Sequence, residues 1–145
     1  MKIQFNGKLN IKASGKIARD KGLRPGGKIQ QFIDNEVIKQ MEPFTPRRDG
    51  GGFLAEQAPR TGTVIGSGHI HVTGPYARFQ YYGKVMIYEP TGSTWAPLYG
   101  HKIATDKDLK YNGGPQRGAH WFDRMKSARG QDILDGAQKL IDRGK

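Results

Sequence analysis

Two segments of the chain repeat their apolar residues at helical spacing. The first begins near Pro25, a residue suited to a first helical turn, and ends before Pro43. Its apolar positions recur every three or four residues and predict an amphipathic helix: Ile29, Phe32, Ile33, Val37 and Met41. The second stripe occupies residues 122–141 and predicts a C-terminal helix. Gly130 and Gly136 are expected to loosen or kink this helix.

Segments with strand-like alternation lie before and between these helices. The opening KIQFNGKLNI predicts a strand or a hairpin that turns at Gly7, and TVIGSGHIHV, residues 63–72, predicts a further strand. PYARFQYYG has a proline at its start and a glycine at its end, which is typical of a short helix. KVMIYE then returns to strand chemistry, WAPLYGHKI is a candidate for one more short strand, and ATDKDLKYNGGPQRG predicts a polar loop.

The order of these elements favours a single α+β domain over residues 1–145. We expect a small antiparallel sheet packed against an N-terminal-half helix and a C-terminal helix, with long exposed loops. Residues 1–24 are a basic N-terminal segment in this scheme. Residues 43–62 have three prolines, several glycines and no sustained apolar period, so they predict a long flexible loop.

Composition narrows the classes of function. The 145 residues include no cysteine, which excludes disulfides, thiolate metal sites and cysteine nucleophiles. Twenty-four Lys and Arg against 13 Asp and Glu give a formal charge of +11, which favours attraction to a polyanion or to an acidic protein surface. Residues 1–28 hold eight of these cations, although a solvated face explains such a run equally well. No segment has the roughly 20 apolar residues that span a bilayer, so no membrane partner is expected.

Residues that carry catalysis form no complete pattern. His69 and His71 share one face of the predicted strand and are a candidate metal pair. A metal site needs a third protein ligand, for which only the distant His101 or His120 is on offer, and a polar strand face is favoured. GSG at residues 66–68 lacks the G-x-S-x-G pattern of a hydrolase, and no phosphate-binding loop is present. The scattered carboxylates disfavour a two-metal nuclease.

The segment GPYARFQYYGKVMIYEP, residues 74–90, is unusually rich in aromatic side chains: Tyr76, Phe79, Tyr81, Tyr82 and Tyr88. One interpretation is a platform on which nucleic-acid bases stack, and the other is a packed core segment. The rings lack the spacing of the exposed aromatic residues on RNA-recognition strands. On a short helix, Tyr76 and Phe79 face one way and pack inward, so the core interpretation is favoured.

The motifs, taken in chain order, resemble those of a known family. They are MEPFTPRRDGG after the first helix, the strand GTVIGSGHIHV, then GPYARFQYYGKV, GSTWAP and finally AHWFDRMK at the start of the last helix. This order is similar to that of the minor capsid, head-tail connector and tail-completion proteins of long-tailed bacteriophages. The resemblance covers roughly residues 25–142, and it departs from the family pattern at RRDGGGFLAEQAPRTG, where the family more often has D-T-G-x-L.

The resemblance implies a structural virion subunit without enzymatic activity, with no catalytic residue, no cofactor and no metal. Such a subunit assembles with itself into a ring, a hexamer by resemblance, at the neck where the capsid portal meets the tail. Its expected location is the head-tail junction of the virion, after assembly in the host cytoplasm. Its expected partners are the adjoining connector and the tail-tube or tail-terminator proteins, together with duplex DNA that passes without sequence-specific contacts.

Cationic residues are the candidate contacts under this interpretation. Four lysines of the basic segment are candidates for the DNA-facing channel, although acidic neighbour proteins are an equally physical target: Lys8, Lys12, Lys16 and Lys21. Arg47, Arg48 and Arg60 are candidate partner contacts in the long loop, with a solvated loop as the alternative. A stand-alone nucleic-acid-binding protein is the second candidate function, and a small metal-dependent hydrolase is the third.

Overall fold

The computed structural model describes residues 1–7, 9, 22, 24–47, 53–74, 77–111 and 116–143. Within these ranges the elements in chain order are β1 (Lys2–Ile3), α1 (Lys28–Met41), α2 (Ala58–Gly62), β2 (Ile70–His71), α3 (Ala77–Tyr82), β3 (Lys84–Tyr88), β4 (Lys102–Asp108) and α4 (Trp121–Arg143). The two long helices and the short helix α3 confirm the predicted helices. Helix α1 begins three residues after Pro25, which lies instead in the turn that leads into it.

Helices α1 and α4 pack against each other and form the centre of the fold. A Cβ atom on Gly136 would lie 2.6 Å from the ring atom Cζ of Phe32, so the glycine leaves space for that ring. Arg129 donates a hydrogen bond to Gln40 of α1, 3.1 Å long. Because these two contacts run in opposite order along the helices, α1 and α4 are antiparallel. Helix α4 continues from Trp121 to Arg143, so Gly136 does not end it, and the glycine serves helix packing. The kink expected there stays a prediction.

The hydrophobic core is formed by the facing sides of these helices together with the β1–β2 pair. Strand β1 pairs antiparallel with β2, and the Met1 and Val72 backbones extend this pairing through two hydrogen bonds of 2.7 and 3.0 Å. The largest side chains that are fully buried are those of Trp121, Ile38, Met41, Ile70, Met125, Ile133 and Ile141. Each such side chain contributes about 1.5–3 kcal/mol through burial, so the stability of the fold is concentrated here.

Residues 64–68 form a turn, although the sequence pattern predicts a strand there. The carboxylate of Asp34, buried on α1, accepts hydrogen bonds from the backbone N–H groups of Gly66 and Gly68 at 2.7 and 3.1 Å. Gly66 has a φ of +98°, a conformation that side chains other than glycine rarely adopt. The strand predicted over residues 63–72 is therefore wrong except at β2, because these hydrogen bonds to Asp34 replace strand pairing.

Strands β3 and β4 form a separate antiparallel hairpin, which we call the arm (Lys84–Asp108). Its register pairs Ile87 with Ile103 and Tyr88 with Lys102, and Lys84 forms an ion pair with Asp108 at its base. The polar loop predicted from Ala104 onward is wrong for residues 104–108, which belong to β4. The short strand predicted at Trp95 begins only at Lys102. The described residues outside the arm are called the body.

The loop predicted over residues 43–62 contains helical turns at residues 43–44 and 53–62, whereas residues 45–47 are not helical. A 3₁₀ turn, Glu42–Phe44, continues α1, and a π-helical turn, Phe53–Gln57, leads directly into α2. Phe44, Ala55 and Ala58 are buried. The prediction of a long exposed loop is therefore wrong for these described parts, because small residues and one aromatic ring pack them onto the body.

The α+β class is confirmed, with helices and antiparallel strand pairs. In place of one small sheet the described residues form two separate two-stranded pairs, of which β1–β2 contributes to the core. Among the described helices, none combines the length and the apolar character needed to cross a bilayer.

Candidate functional site

Three of the motif segments meet at the start of helix α4. They are the end of the first helix with its following turn (Met41–Thr45), the short helix α3 with Gly83, and the segment Gln116–Arg124. We call this meeting point the junction. Its backbone contacts include hydrogen bonds from Gly118 N–H to the carbonyl of Phe44 at 3.1 Å and from His120 N–H to that of Tyr81 at 2.8 Å. Segments far apart in sequence are therefore joined at one place.

Arg117 connects the junction to the end of α1. Its Nη1 donates hydrogen bonds to the carbonyl oxygens of Glu42 and Thr45 at 2.8 and 2.7 Å, and its Nη2 donates to the carboxylate of Glu42 at 3.1 Å. The Arg117 side chain is only 15% exposed. Carbonyl groups at the end of a helix lack partners within the helix, and a cation is favourable there. The guanidinium therefore caps this helix end and is not available to an outside ligand.

Arg124, one turn into α4, folds back over the same turn. Its guanidinium donates to the carbonyl oxygens of Ala119, Gln116 and Phe44 at 2.8, 2.6 and 3.3 Å. Its Cζ atom also lies 5.7 Å from the centroid of the Phe44 ring, within the range of a cation–π contact. The two arginines thus bind main-chain carbonyl groups on both sides of the junction.

Tyr81 is the aromatic centre of the junction. Its ring packs edge-on against Trp121, with the centroids 4.7 Å apart, and its hydroxyl donates a 3.1 Å hydrogen bond to the carboxylate of Asp123. Burial, followed by the hydrogen bond and charge of Asp123, raises the pKa of Tyr81 to about 12. The phenol therefore keeps its proton at neutral pH and acts as a hydrogen-bond donor, not as a base or a nucleophile.

His120 contacts two tyrosine rings of the junction. Its backbone has a φ of +50°, a left-handed conformation that is uncommon outside glycine. Its ring lies edge-on to both Tyr81 and Tyr82, with centroids 5.2 and 5.9 Å away. The hydrogen bond from its N–H to Tyr81 and these ring contacts keep the residue in a strained backbone geometry.

The arm leaves the body at the junction. Gly83 has a φ of +74°, and a Cβ atom there would lie 2.8 Å from the Cβ of Ala119. The carbonyl of Gly83 accepts a 2.8 Å hydrogen bond from Leu109 N–H, and the Tyr111 hydroxyl donates to the carbonyl of Gln80 at 2.5 Å. Burial at this point raises the pKa of Tyr111. Together these contacts hold both chain ends of the arm at one point of the body.

The far end of the arm exposes large apolar side chains. Trp95 is 69% exposed, and Leu98 and Tyr99 are each 89% exposed. Along the whole arm, all of which the structure describes, no residue is buried. A contiguous group of exposed aromatic and aliphatic side chains is typical of a surface that binds another molecule.

The candidate contact residues from the sequence are the lysines of the basic segment and three arginines of the predicted long loop. Lys8, Lys12, Lys16, Lys21 and Arg48 lie outside the described residues, so their roles stay predictions. Arg47 forms an ion pair with Glu56, 3.0 Å between Nη1 and Oε1, on the surface.

Arg60 is exposed in the last turn of α2. It and Arg47 remain available to a partner, since a surface ion pair contributes little free energy.

The inward-facing ring of the aromatic segment differs from the prediction. Tyr76 lies outside the described residues. Phe79 is 36% exposed, whereas Ala77 and Tyr81 are buried. The inward position predicted for Phe79 is therefore wrong, and Ala77 and Tyr81 form the inner face of α3. The core interpretation holds for Tyr81, because its ring packs on Trp121.

The described part of the chain holds no group of three His, Cys, Asp or Glu residues that are placed to bind a metal. His71 is exposed on β2, while Nδ1 of His69 is buried and accepts or donates no hydrogen bond. A cleft of about 270 Å³ lies between the N-terminal segment and helices α1 and α4. Its lining offers no acid, base or nucleophile: Phe5, Asn6, Gly7, Leu9, Gln30, Ile33 and Leu134.

Two features of importance were not identified from the sequence. Asp34 lies on the buried stripe of α1, three residues before Val37 and four before Ile38, and a lone carboxylate at such a position is a signal of a buried polar contact. Arg117 and Arg124 flank the AHWFD segment, but nothing in their spacing indicates the carbonyl groups that they bind.

A scan against protein-family models, a search of curated proteins and a search of solved structures each find no match to this chain.

Proposed function

We propose that this chain is a non-enzymatic structural subunit of a tailed-bacteriophage virion, a minor capsid, head-tail connector or tail-completion protein that joins the DNA-filled head to the tail at the neck. The family proposal rests on the order of the sequence motifs described above. Polar groups of these motif residues bind other parts of the fold, which supports a structural role.

The observation that carries the proposal is that the arginine guanidinium groups and the Tyr81 hydroxyl of the junction are bound within the fold. Arg117 and Arg124 bind main-chain carbonyl groups, and the Tyr81 hydroxyl binds Asp123. A catalytic group must instead reach a reacting atom in a cleft. Side chains whose hydrogen bonds hold parts of the fold together suit a structural subunit.

The arm adds the surface that such a subunit needs. A ring or neck component works by contacts with neighbouring chains, and those contacts need accessible apolar groups outside the subunit's own core. The exposed side chains of Trp95, Leu98 and Tyr99 provide these groups. The net charge of +11 is compatible with a position next to passing DNA, which non-specific phosphate contacts would hold.

Deletion of the gene from the phage or prophage that encodes it tests the proposal. We expect filled heads and complete tails that fail to join, visible by electron microscopy of the lysate. Expression of the wild-type chain from a plasmid should restore joined particles. Infectious, fully joined virions after deletion would contradict the proposal.

Titration of the purified chain with duplex DNA separates the second candidate function from the first. A stand-alone nucleic-acid-binding protein should bind with an affinity that falls steeply with salt, because bound counterions are released from the phosphates. A connector subunit should instead form a discrete closed oligomer with a central opening, measured by light scattering and imaging. A strict monomer with tight, salt-sensitive DNA binding would favour the second candidate.

A further inference from the structure

We propose that the tip of the arm, Tyr88–Gly100, docks on the basic body of a second copy of this chain. The contact is heterologous, because tip and body are different surfaces, and it repeats from copy to copy. The inference rests on the proposed function, since it names the surface through which a ring subunit meets its neighbour. Its test does not use virions, so the two proposals fail separately.

The apolar content of the tip shows that it is suited to burial. Trp95, Leu98 and Tyr99 fall within five positions, and each has more than two thirds of its surface in solvent. Scattered apolar residues are normal on a protein surface, but a cluster of this kind marks an interaction site. Trp and Tyr are also the side chains that most often dominate the binding energy of an interface.

The tip is ordered before any partner binds. Tyr88 N–H donates to the carbonyl of Ser93 at 2.8 Å, and Gly100 N–H donates to that of Pro97 at 2.8 Å. A Cβ atom on Gly100 would lie 2.9 Å from the ring of Tyr88, so the second turn packs directly on that ring. A tip with a fixed shape loses less conformational entropy on docking than a flexible loop does.

The arm lacks a core of its own. An isolated two-stranded hairpin is at best marginally stable in water, and no residue of this fully described arm is buried. The arm therefore gains stability when another surface covers it.

Charge identifies the body of a second copy as that surface. Residues 85–101 contain no Lys or Arg and one acidic residue, Glu89, so this stretch carries −1. The rest of the chain then carries +12, one more than the whole, and the body supplies +6 of it, with 14 Lys and Arg against 8 Asp and Glu. A polyanion such as DNA would find no cation at the tip, whereas the basic body of another copy meets a neutral to acidic surface. The tip is the part of the molecule that a second copy repels least.

The first test measures self-association of the full chain by sedimentation velocity across concentration. The variant Leu98→Ser with Tyr99→Ser should raise the dissociation constant about tenfold or more, because two candidate anchors are lost. The matched control is Ile103→Thr, which removes an exposed apolar side chain of the arm that lies outside both the tip and the body. Both variants should melt like the wild type, since the altered side chains are exposed.

The second test changes charge at one tip position. Thr94 is exposed, so Thr94→Lys and Thr94→Glu differ from each other in charge with little effect on the fold. At low salt we expect Thr94→Lys to weaken association about threefold and Thr94→Glu to keep or strengthen it, with the difference shrinking as salt screens the charges.

Three outcomes would overturn the inference. They are a monomer at every concentration, an association that the Leu98 and Tyr99 changes leave as strong as the Ile103 change does, and a Thr94→Lys variant that associates more tightly than Thr94→Glu. In each case the gene-deletion phenotype still decides the proposed function. Conversely, joined virions after deletion would refute the proposed function and leave an arm-dependent self-association intact.

Discussion

The body and the arm differ in how far they bury their apolar side chains. The body buries most of its large apolar residues between α1, α4 and the β1–β2 pair, and it binds the buried Asp34 carboxylate and the Arg117 guanidinium within the fold. The arm buries nothing and places Trp95, Leu98 and Tyr99 in solvent. A chain of this size has enough length to cover such residues. Their exposure indicates that the stability of the chain resides in the body, and it leaves the arm as the surface for the proposed docking.

The largest expected effect is the loss of the buried carboxylate in the body. Asp34→Ala removes the acceptor for Gly66 N–H, Gly68 N–H and the amide of Gln30. Unpaired groups in a buried site are costly, so the free energy of unfolding should fall by about 3 kcal/mol. Urea denaturation measures this change.

The matched control for Asp34→Ala is Asp106→Ala, an exposed aspartate on the arm. Its free energy of unfolding should stay within about 0.5 kcal/mol of the wild type. Equal losses from both changes would remove the distinction between body and arm.

The next effect is a loss of stability in alkaline solution that depends on Tyr81. The pKa of Tyr81 is about 12 in the folded state and near 10 in an unfolded chain, so the folded state holds this proton more tightly. Stability is therefore at its full value below pH 10 and falls by about 2 kcal/mol as the pH rises toward 12.

Denaturation at pH 9 and pH 11.5 should show that Tyr81→Phe loses this component of the alkaline destabilisation. Tyr99→Phe, on the exposed arm, should keep the pH dependence of the wild type. An unchanged alkaline slope in Tyr81→Phe would show that Asp123 and burial do not act on this phenol as described.

A smaller effect is expected at the cap of α1. Arg117→Ala removes the donor for the carbonyl groups of Glu42 and Thr45 and should cost about 1.5 kcal/mol. Arg60→Ala changes an exposed arginine and should be near neutral. Thermal melts of the two variants compare them directly, and a larger loss for Arg60→Ala would contradict the structural role of Arg117.

The smallest effect concerns local opening and sharpens the comparison. In dilute solution the amides of β3 and β4 should exchange with solvent faster than those of α1 and α4, because the hairpin has no buried apolar contacts. At concentrations where copies associate, the protection of the arm amides should increase and that of the helices should not change. Hydrogen exchange with mass spectrometry measures both, and arm protection equal to that of the helices in dilute solution would contradict the inference.

The two long helices were predictable because their signal is local. Ile29, Ile33, Val37 and Met41 recur at helical spacing, and packing buries that same stripe. The glycine at position 136 looks like a weak point in a helix by propensity alone. Its role appears only when α1 supplies the ring of Phe32, which is information that no single helix contains.

The strands were predicted poorly for two different reasons. The alternation of residues 63–72 looks like a strand, but Gly66 and Gly68 accept positive φ angles and the distant Asp34 binds their N–H groups. Strand β4, by contrast, has Ile103 as its one strongly apolar residue, so no alternation marks it. A strand that is exposed on both faces leaves little trace in the hydrophobic pattern.

The sequence shows the motifs of the junction, but it does not show that they lie close together in the fold. Phe44, Tyr81 and Trp121 belong to three segments separated by long stretches of chain, and their meeting depends on tertiary packing. The carbonyl groups bound by Arg117 and Arg124 have no side-chain signature at all. The role of the four candidate lysines, Lys8, Lys12, Lys16 and Lys21, is a separate hypothesis, which the contacts of the junction do not test.

The position of Gly83 has a consequence for counting. The arm leaves the body at this residue, where the Cβ of Ala119 leaves no space for a side chain and Leu109 closes the other end of the hairpin. In a closed ring, each copy is turned from the last by a full circle divided by the number of copies. If the arm reaches from one copy to the next, the angle fixed at this single glycine selects how many copies complete the circle. A small change in the direction of the arm at Gly83 would therefore change the number of copies in the ring.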